Sequence, residues 1–351
     1  MSALAAALSA LVAASLLAGC ASSSAPPSAR QALSSRPAPS TSSAEVTTPT
    51  ASASVAASPA DVEANELGRV PVIMYHQLKD RPKGVYDITP AAFRAELERL
   101  AREGYVPVTA TAYATGRIDI PAGKHPVVLT FDDSTRSQFA LEDAGKPRAG
   151  TAVAILLEVA ARHPGFTPTA TFFVNREPFA EPGGRRHLTW LHANGFEVAN
   201  HTYDHAPLRG IRADQVRRQL ASDTAMITKA VPGIDVSTLA LPMGQRPRDH
   251  RLMMSGQWRS TSYRHLAAFL VGSGSASSPF ARSFDPTGVP RMRSQGRSGP
   301  EARYASARTL DRMASAPLDR YTSDGDPAVV SFPKALAGDF ASISSAVARP
   351  Y

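Results

Sequence analysis

Two groups of titratable residues in this chain could act together. The first is Asp132-Asp133, which ends the run Val127-Val-Leu-Thr-Phe-Asp-Asp133. Adjacent carboxylates raise each other's pKa, a cost that a bound cation would relieve. The second is Asn200-His-Thr-Tyr-Asp-His205, where two imidazoles stand four residues apart. A helical turn would put them on one face. Asp133, His201 and His205 would then form a three-ligand metal site with open positions for water.

Such a site needs elements that bring residues 133 and 201–205 to one place. Runs of apolar residues predict strands over 70–76, 105–108, 127–133, 168–174, 196–199 and 238–242, with further strands over 266–271, 289–293 and 329–332. Helical spacing predicts helices over 90–103, 151–162, 187–194 and 212–230. Strands that alternate with helices make a parallel α/β fold, here a barrel, which keeps its chemistry at the C-terminal ends of the strands. His76 ends the first strand, and Asp132-Asp133 the organising one. Residues 272–300, rich in Gly, Ser, Pro and Arg, are expected as a surface loop. His125, His163, His187, His192, His250 and His265 are expected on the surface or in loops. Trp190, at core spacing, is expected to pack, and Trp258 is divided evenly between packing and sugar stacking.

Composition bounds the setting. The chain has 351 residues, 43% of them hydrophobic, enough for a sizeable core. Its single cysteine, Cys20, excludes an internal disulfide and a thiolate metal cluster. Cys20 closes Leu17-Ala-Gly-Cys20 after an apolar run, which resembles a bacterial lipoprotein signal, although no Lys or Arg precedes the run. That resemblance implies a signal peptide over 1–20, a lipid on Cys20 and an exported protein, anchored to the outer face of the cell membrane or to the outer membrane. Residues 21–65, mostly Ser, Ala, Pro and Thr, read as a disordered tether. A folded domain over 66–335 and a C-terminal tail over 336–351 follow. The formal charge of +8 suits anionic cell-wall polymers or general solubility equally well. No basic run is interleaved with aromatics, which argues against nucleic acid.

Thr130-Phe-Asp-Asp133 followed by His201-Thr-x-x-His205 resembles the first two motifs of the NodB-type polysaccharide deacetylases, carbohydrate esterase family 4. Ala170-Thr-Phe-Phe-Val174 and Gly195-Phe-Glu-Val-Ala-Asn-His201 resemble that family's linking strands, so the likeness spans roughly residues 70–245. It implies an α/β fold of the distorted (β/α) barrel kind with fewer than eight strands. It also implies a divalent metal, usually Zn2+, and removal of acetyl groups from a cell-surface or cell-wall polysaccharide, N-acetyl in preference to O-acetyl. Residue by residue, Asp133, His201 and His205 resemble the metal ligands, Asp132 the general base, and Thr202 the residue that braces the histidine loop. Leu239-Ala-Leu-Pro-Met-Gly244 resembles the third motif, in which Pro242 precedes an oxyanion donor, here the Met243 N–H.

Two departures bear on activity. No Arg stands in 238–241, where many members hold one against the base, and Arg246 is out of place. The late Leu-x-His that supplies the general acid is also missing, since no His follows His265. Val72-Ile-Met-Tyr-His76 resembles the early strand of the biofilm poly-N-acetylglucosamine deacetylases, and His76 is the candidate general acid. The alternative, from another class, is an inactive deacetylase-like lipoprotein that binds cell-wall glycan.

Overall fold

The computed structural model describes residues 58–272, 274–299, 301–341 and 346–351. Cys20, the signal segment and the expected tether up to residue 57 lie outside the described residues.

The frame is an eight-stranded, all-parallel sheet. In chain order its strands are β1 (Val72–Tyr75), β2 (Tyr105–Val108), β3 (His125–Phe131), β4 (Thr171–Val174), β5 (Glu197–Asn200), β6 (Thr238–Ala240), β7 (Ala267–Phe269) and β8 (Met292–Arg293). Seven follow one another in the order β7-β6-β5-β4-β3-β1-β8, while β2 pairs only with the first half of β3. Phe269 bridges Val289, just ahead of β8, so the curled sheet is joined at its ends. The fold is a distorted (β/α) barrel, with eight strands in its sheet where the family likeness implies fewer.

β3 is the centre because both of its faces are covered. All seven residues are buried, as a parallel strand under two layers requires. Val127, Leu129 and Phe131 face the outer core with Phe93, Leu97 and Phe172. Val128 faces the inner core with Val72, Phe173, Ala199 and Ala240. The alternation of a strand then sends Thr130 and Asp132 inward.

Helices close the outer layer. α1 (Pro90–Arg102) starts where Thr89 Oγ1 accepts from Ala92 N at 3.0 Å, with Pro90 in the first turn. Phe93, Leu97 and Leu100 form its buried stripe. It stops at Gly104, whose φ of +78° suits a residue without a Cβ. α2 (Ala152–Arg162), α3 (Arg185–Ala193) and α4 (Ala213–Ala230) follow β3, β4 and β5. Trp190 of α3 packs with Phe139 and Phe196.

Three expectations are corrected. Residues 272–300 are not a surface loop, since Ala276, Phe280, Val289, Arg291 and Met292 are buried and Ala276 bridges Val70. His125 and His265 are buried too, each with Nδ1 on a main-chain oxygen, and desolvation pushes both down to about 4. The strand at Val329–Phe332 stands outside the barrel sheet. It pairs in parallel with Val347–Pro350, so part of the segment set apart as a tail is built into the fold.

Candidate active site

Asp132, Asp133, His76, His201 and His205 meet at the C-terminal rim of the barrel. β1 and β3 are direct neighbours in parallel, with Tyr75 opposite Phe131. The residue after each strand therefore reaches the same mouth, and His76 Nε2 lies 3.9 Å from Asp132 Oδ2. Asp132 is still held like a strand residue, its N–H donating to Tyr75 O at 3.0 Å. The chain then turns sharply: Asp133 has φ +72° and Ser134 +47°. Two successive left-handed residues without glycine store backbone strain, which clusters at functional sites. The turn aims two adjacent carboxylates in different directions.

The histidines converge by another route than a helical turn. Residues 201–206 form a loop in which Thr202 (φ +62°) and His205 (φ +51°) are left-handed. Asn200 pins the loop, its Oδ1 accepting from Thr202 N at 2.9 Å and its Nδ2 donating to Leu220 O of α4. Thr202 Oγ1 accepts from Ala206 N at 2.9 Å. His201 is fixed on both sides, its N–H donating to Asp223 at 3.1 Å and its Nδ1 meeting Ala240 O at 2.9 Å. The Nδ1 contact turns Nε2 toward the mouth, as outer partners of metal-binding histidines do.

The donor set fits a tetrahedral ion. Asp133 Oδ1 lies 3.4 Å from His201 Nε2 and 3.2 Å from His205 Nε2. Ligands bound at the usual zinc distances of ~2.0–2.1 Å are about 3.3 Å apart at tetrahedral angles. Asp133 Oδ1 and His201 Nε2 are buried and make no hydrogen bond, although such groups are normally satisfied. The three ligand atoms lie within 4.8 Å of one another.

Asp132 has the partner that the third-motif stretch lacked. Arg291, which leads into β8, clamps it with both prongs: Nη1 to Oδ1 at 2.7 Å and Nη2 to Oδ2 at 2.7 Å. Nε donates to Leu270 O at 2.6 Å, and Nη1 also reaches Thr130 Oγ1 at 3.2 Å. The guanidinium lies over the Phe173 ring, and both charged side chains are buried. Burial would push the Asp132 carboxyl up, but Arg291 first, and then His201, hold it well below the carboxylate range. Burial opposes charging of His201, yet Asp132 and Asp133 raise it above its ordinary value. At His76 burial wins over the same two carboxylates and the pKa is lowered. The His76 ring lies 4.6 Å from that of Tyr86, and Gln138 Nε2 donates to its main-chain oxygen.

Met243 follows β6 on the same rim, three residues beyond the Ala240 oxygen that holds His201. Its backbone is left-handed, φ +52°, after buried Pro242. Arg291 was missed by sequence reasoning. The available signal was Val289-Pro-Arg-Met-Arg293, a predicted strand with a charge where the alternation asks for an inward residue.

Residues 119–256 match the family model of polysaccharide deacetylases. That stretch runs from before β3 to beyond Met243, and leaves out both His76 and Arg291. Two solved structures share the fold. The deacetylase PplD of Streptococcus pyogenes, solved in complex with acetate, is 20% identical with a TM-score of 0.50, covering 67% of this chain and 96% of its own. A polysaccharide deacetylase of Bacillus cereus is 20% identical with a TM-score of 0.51, covering 71% and 68%. No curated protein sequence matches the chain. No helix among the described residues is long and apolar enough to cross a membrane.

Proposed function

We propose that the protein is a metal-dependent deacetylase that removes acetyl groups, N-acetyl in preference to O-acetyl, from a cell-surface or cell-wall polysaccharide, and that it is lipid-anchored through Cys20. The observation that carries the reading is a carboxylate clamped by Arg291 beside the Asp133–His201–His205 ligand set at the mouth of the barrel. The family match over residues 119–256 supports it.

A divalent ion, Zn2+ on this donor set, would polarise the acetyl carbonyl and ease deprotonation of the attacking water. Asp132 stays ionised at every working pH because Arg291 faces it, so an acceptor for the water's proton is always ready. His76 Nε2, 3.9 Å from Asp132 Oδ2 and within one bridging water of it, is placed to return a proton to the leaving amine. The Met243 N–H faces the oxyanion in this scheme. The reading of an inactive binder rested on a missing arginine and a missing histidine. Arg291 and His76 stand at the site from other parts of the chain, which favours the enzyme. Acetate release from an N-acetylglucosamine tetrasaccharide tests it. Zinc should support release, a chelator should stop it, and Asp132→Asn should lower turnover by roughly 10²–10⁴-fold. Metal-loaded protein that releases no acetate from N- or O-acetylated glycans would overturn it.

A further inference from the structure

Beside the catalytic mouth lies a cleft of about 750 Å³ lined by Arg209, Met243, Arg246, Arg248, His250 and Leu270. It shares walls with the site already described. Met243 is the residue whose N–H faces the oxyanion in the proposed reaction, and the Leu270 oxygen accepts from Arg291 Nε at 2.6 Å. Three guanidinium groups therefore border a space next to the scissile bond. They come from two loops, Arg209 from the one after β5 and Arg246 and Arg248 from the one after β6.

Their charge is scarcely answered by the protein. Among the described residues no carboxylate lies within ion-pairing distance of Arg209 or Arg248, both exposed. Among the described residues the one carboxylate near Arg246 is Asp285, at 3.9 Å, and Arg246 Nε is buried without a hydrogen-bond partner. Asp249, between Arg248 and His250, is turned to Arg251 instead. Arg246 is also seated against bare main chain. A Cβ on Gly288 would stand 1.6 Å from Arg246 Nη2, so the guanidinium lies directly over the bare Cα of that glycine. A buried N–H without an acceptor is costly, and like charges around a concave surface raise the local potential for anions.

We propose that this cleft is an anion subsite, and that the substrate is an acidic glycan whose carboxylate or phosphate sits on a sugar flanking the acetylated one. The inference rests on the deacetylase reading for its orientation along the glycan. Arginine suits either group, because its planar fork matches two oxygens at once. Neutral sugars would leave these guanidinium groups unanswered. A neutral glycan should therefore bind more weakly here than an acidic glycan of the same length.

Calorimetry on the metal-loaded full chain tests this with three tetrasaccharides: neutral N-acetylglucosamine, an analogue bearing a lactyl carboxylate on alternate sugars, and an analogue bearing a sugar phosphate. At low ionic strength at least one acidic ligand should bind about tenfold more tightly than the neutral one, the scale of one charge-assisted hydrogen bond. The preference should shrink at about 1 M salt, where the screening length is only ~3 Å. It should also collapse in Arg209→Gln/Arg248→Gln. A preference confined to one acidic ligand assigns the substituent. Equal binding of all three, or a preference unchanged in the double variant, overturns the inference. Acetate release measured in parallel separates the two claims. Release without an acidic preference removes the subsite and leaves the deacetylase, and a preference without release from any ligand does the reverse.

Discussion

Replacing Arg291 by Met keeps an unbranched stem about as far as Nε and removes the fork. In the native fold both prongs lie 2.7 Å from Asp132 oxygens, and neither partner reaches solvent. Removing one member of such a pair strands the other as a buried charge, at a cost of about 3–5 kcal/mol. Asp132→Asn alone should be comparably costly, because it strands the guanidinium. The double variant strands neither. It still leaves the Leu270 oxygen without its 2.6 Å donor, worth about 1–3 kcal/mol. The two single costs therefore should not add, and the coupling should reach at least about 3 kcal/mol. Urea unfolding of the four proteins, with metal chelated so that the pair alone is read, gives the cycle. Costs that add within about 0.5 kcal/mol would refute the pairing as the source of the stability.

The pH dependence carries a sign. The native pKa of Asp132 lies below the ordinary carboxylate value. The stability it contributes is therefore complete above ~3.9 and is lost only as pH falls toward the native value. In Arg291→Met burial acts without its main opponent and raises the carboxyl. Stability of that variant should then fall as pH rises above about 4. The gap between wild type and variant should widen from about pH 4 to pH 8. A gap that does not change with pH would mean that lost packing over Phe173, not charge, sets the cost.

Four further outcomes follow from the same geometry. His205→Ala should lose the ion, which elemental analysis reads directly, and full occupancy would remove it from the ligand set. His76→Ala should keep the ion and slow amide cleavage by about 10²-fold or more, with a smaller loss for esters, whose alkoxide leaves more readily unprotonated; equal losses for both would argue against a role in protonating the amine. Burial pushes Glu66 up to about 8 against its hydrogen bonds from Ser331 N and Tyr321 Oη, so this one carboxyl should cost wild type up to ~1.4 kcal/mol of stability per pH unit between about 4.3 and 8. Glu66→Gln should flatten that slope, and an equally steep slope in the variant would place the titration elsewhere. Cys20→Ser should release the protein from the membrane fraction, and unchanged retention would count against lipidation.

What could be read from the chain, and what could not, follows from the range of the forces involved. β3 is legible because a strand buried on both faces is mostly apolar, and four of the five residues in Val127–Phe131 are apolar. The convergence of His201 and His205 on Asp133 was legible from residue types, but a helical turn was the wrong cause. Two left-handed residues and the Asn200 side chain make the loop, and neither leaves a periodic trace. His125 and His265 escaped notice because their partners leave no local pattern: His125 Nδ1 meets Tyr321 O and Thr322 Oγ1, 196 and 197 residues away, and His265 Nδ1 meets Met253 O of the short helix Arg251–Met254. Arg291 lies 159 residues from its partner, beyond any local pattern. Its signal was of another kind. An arginine placed inward in a buried strand demands a buried anion, and an aspartate at the inward end of β3 demands a buried cation. Each demand is visible by itself in the sequence, and the two answer each other across the barrel.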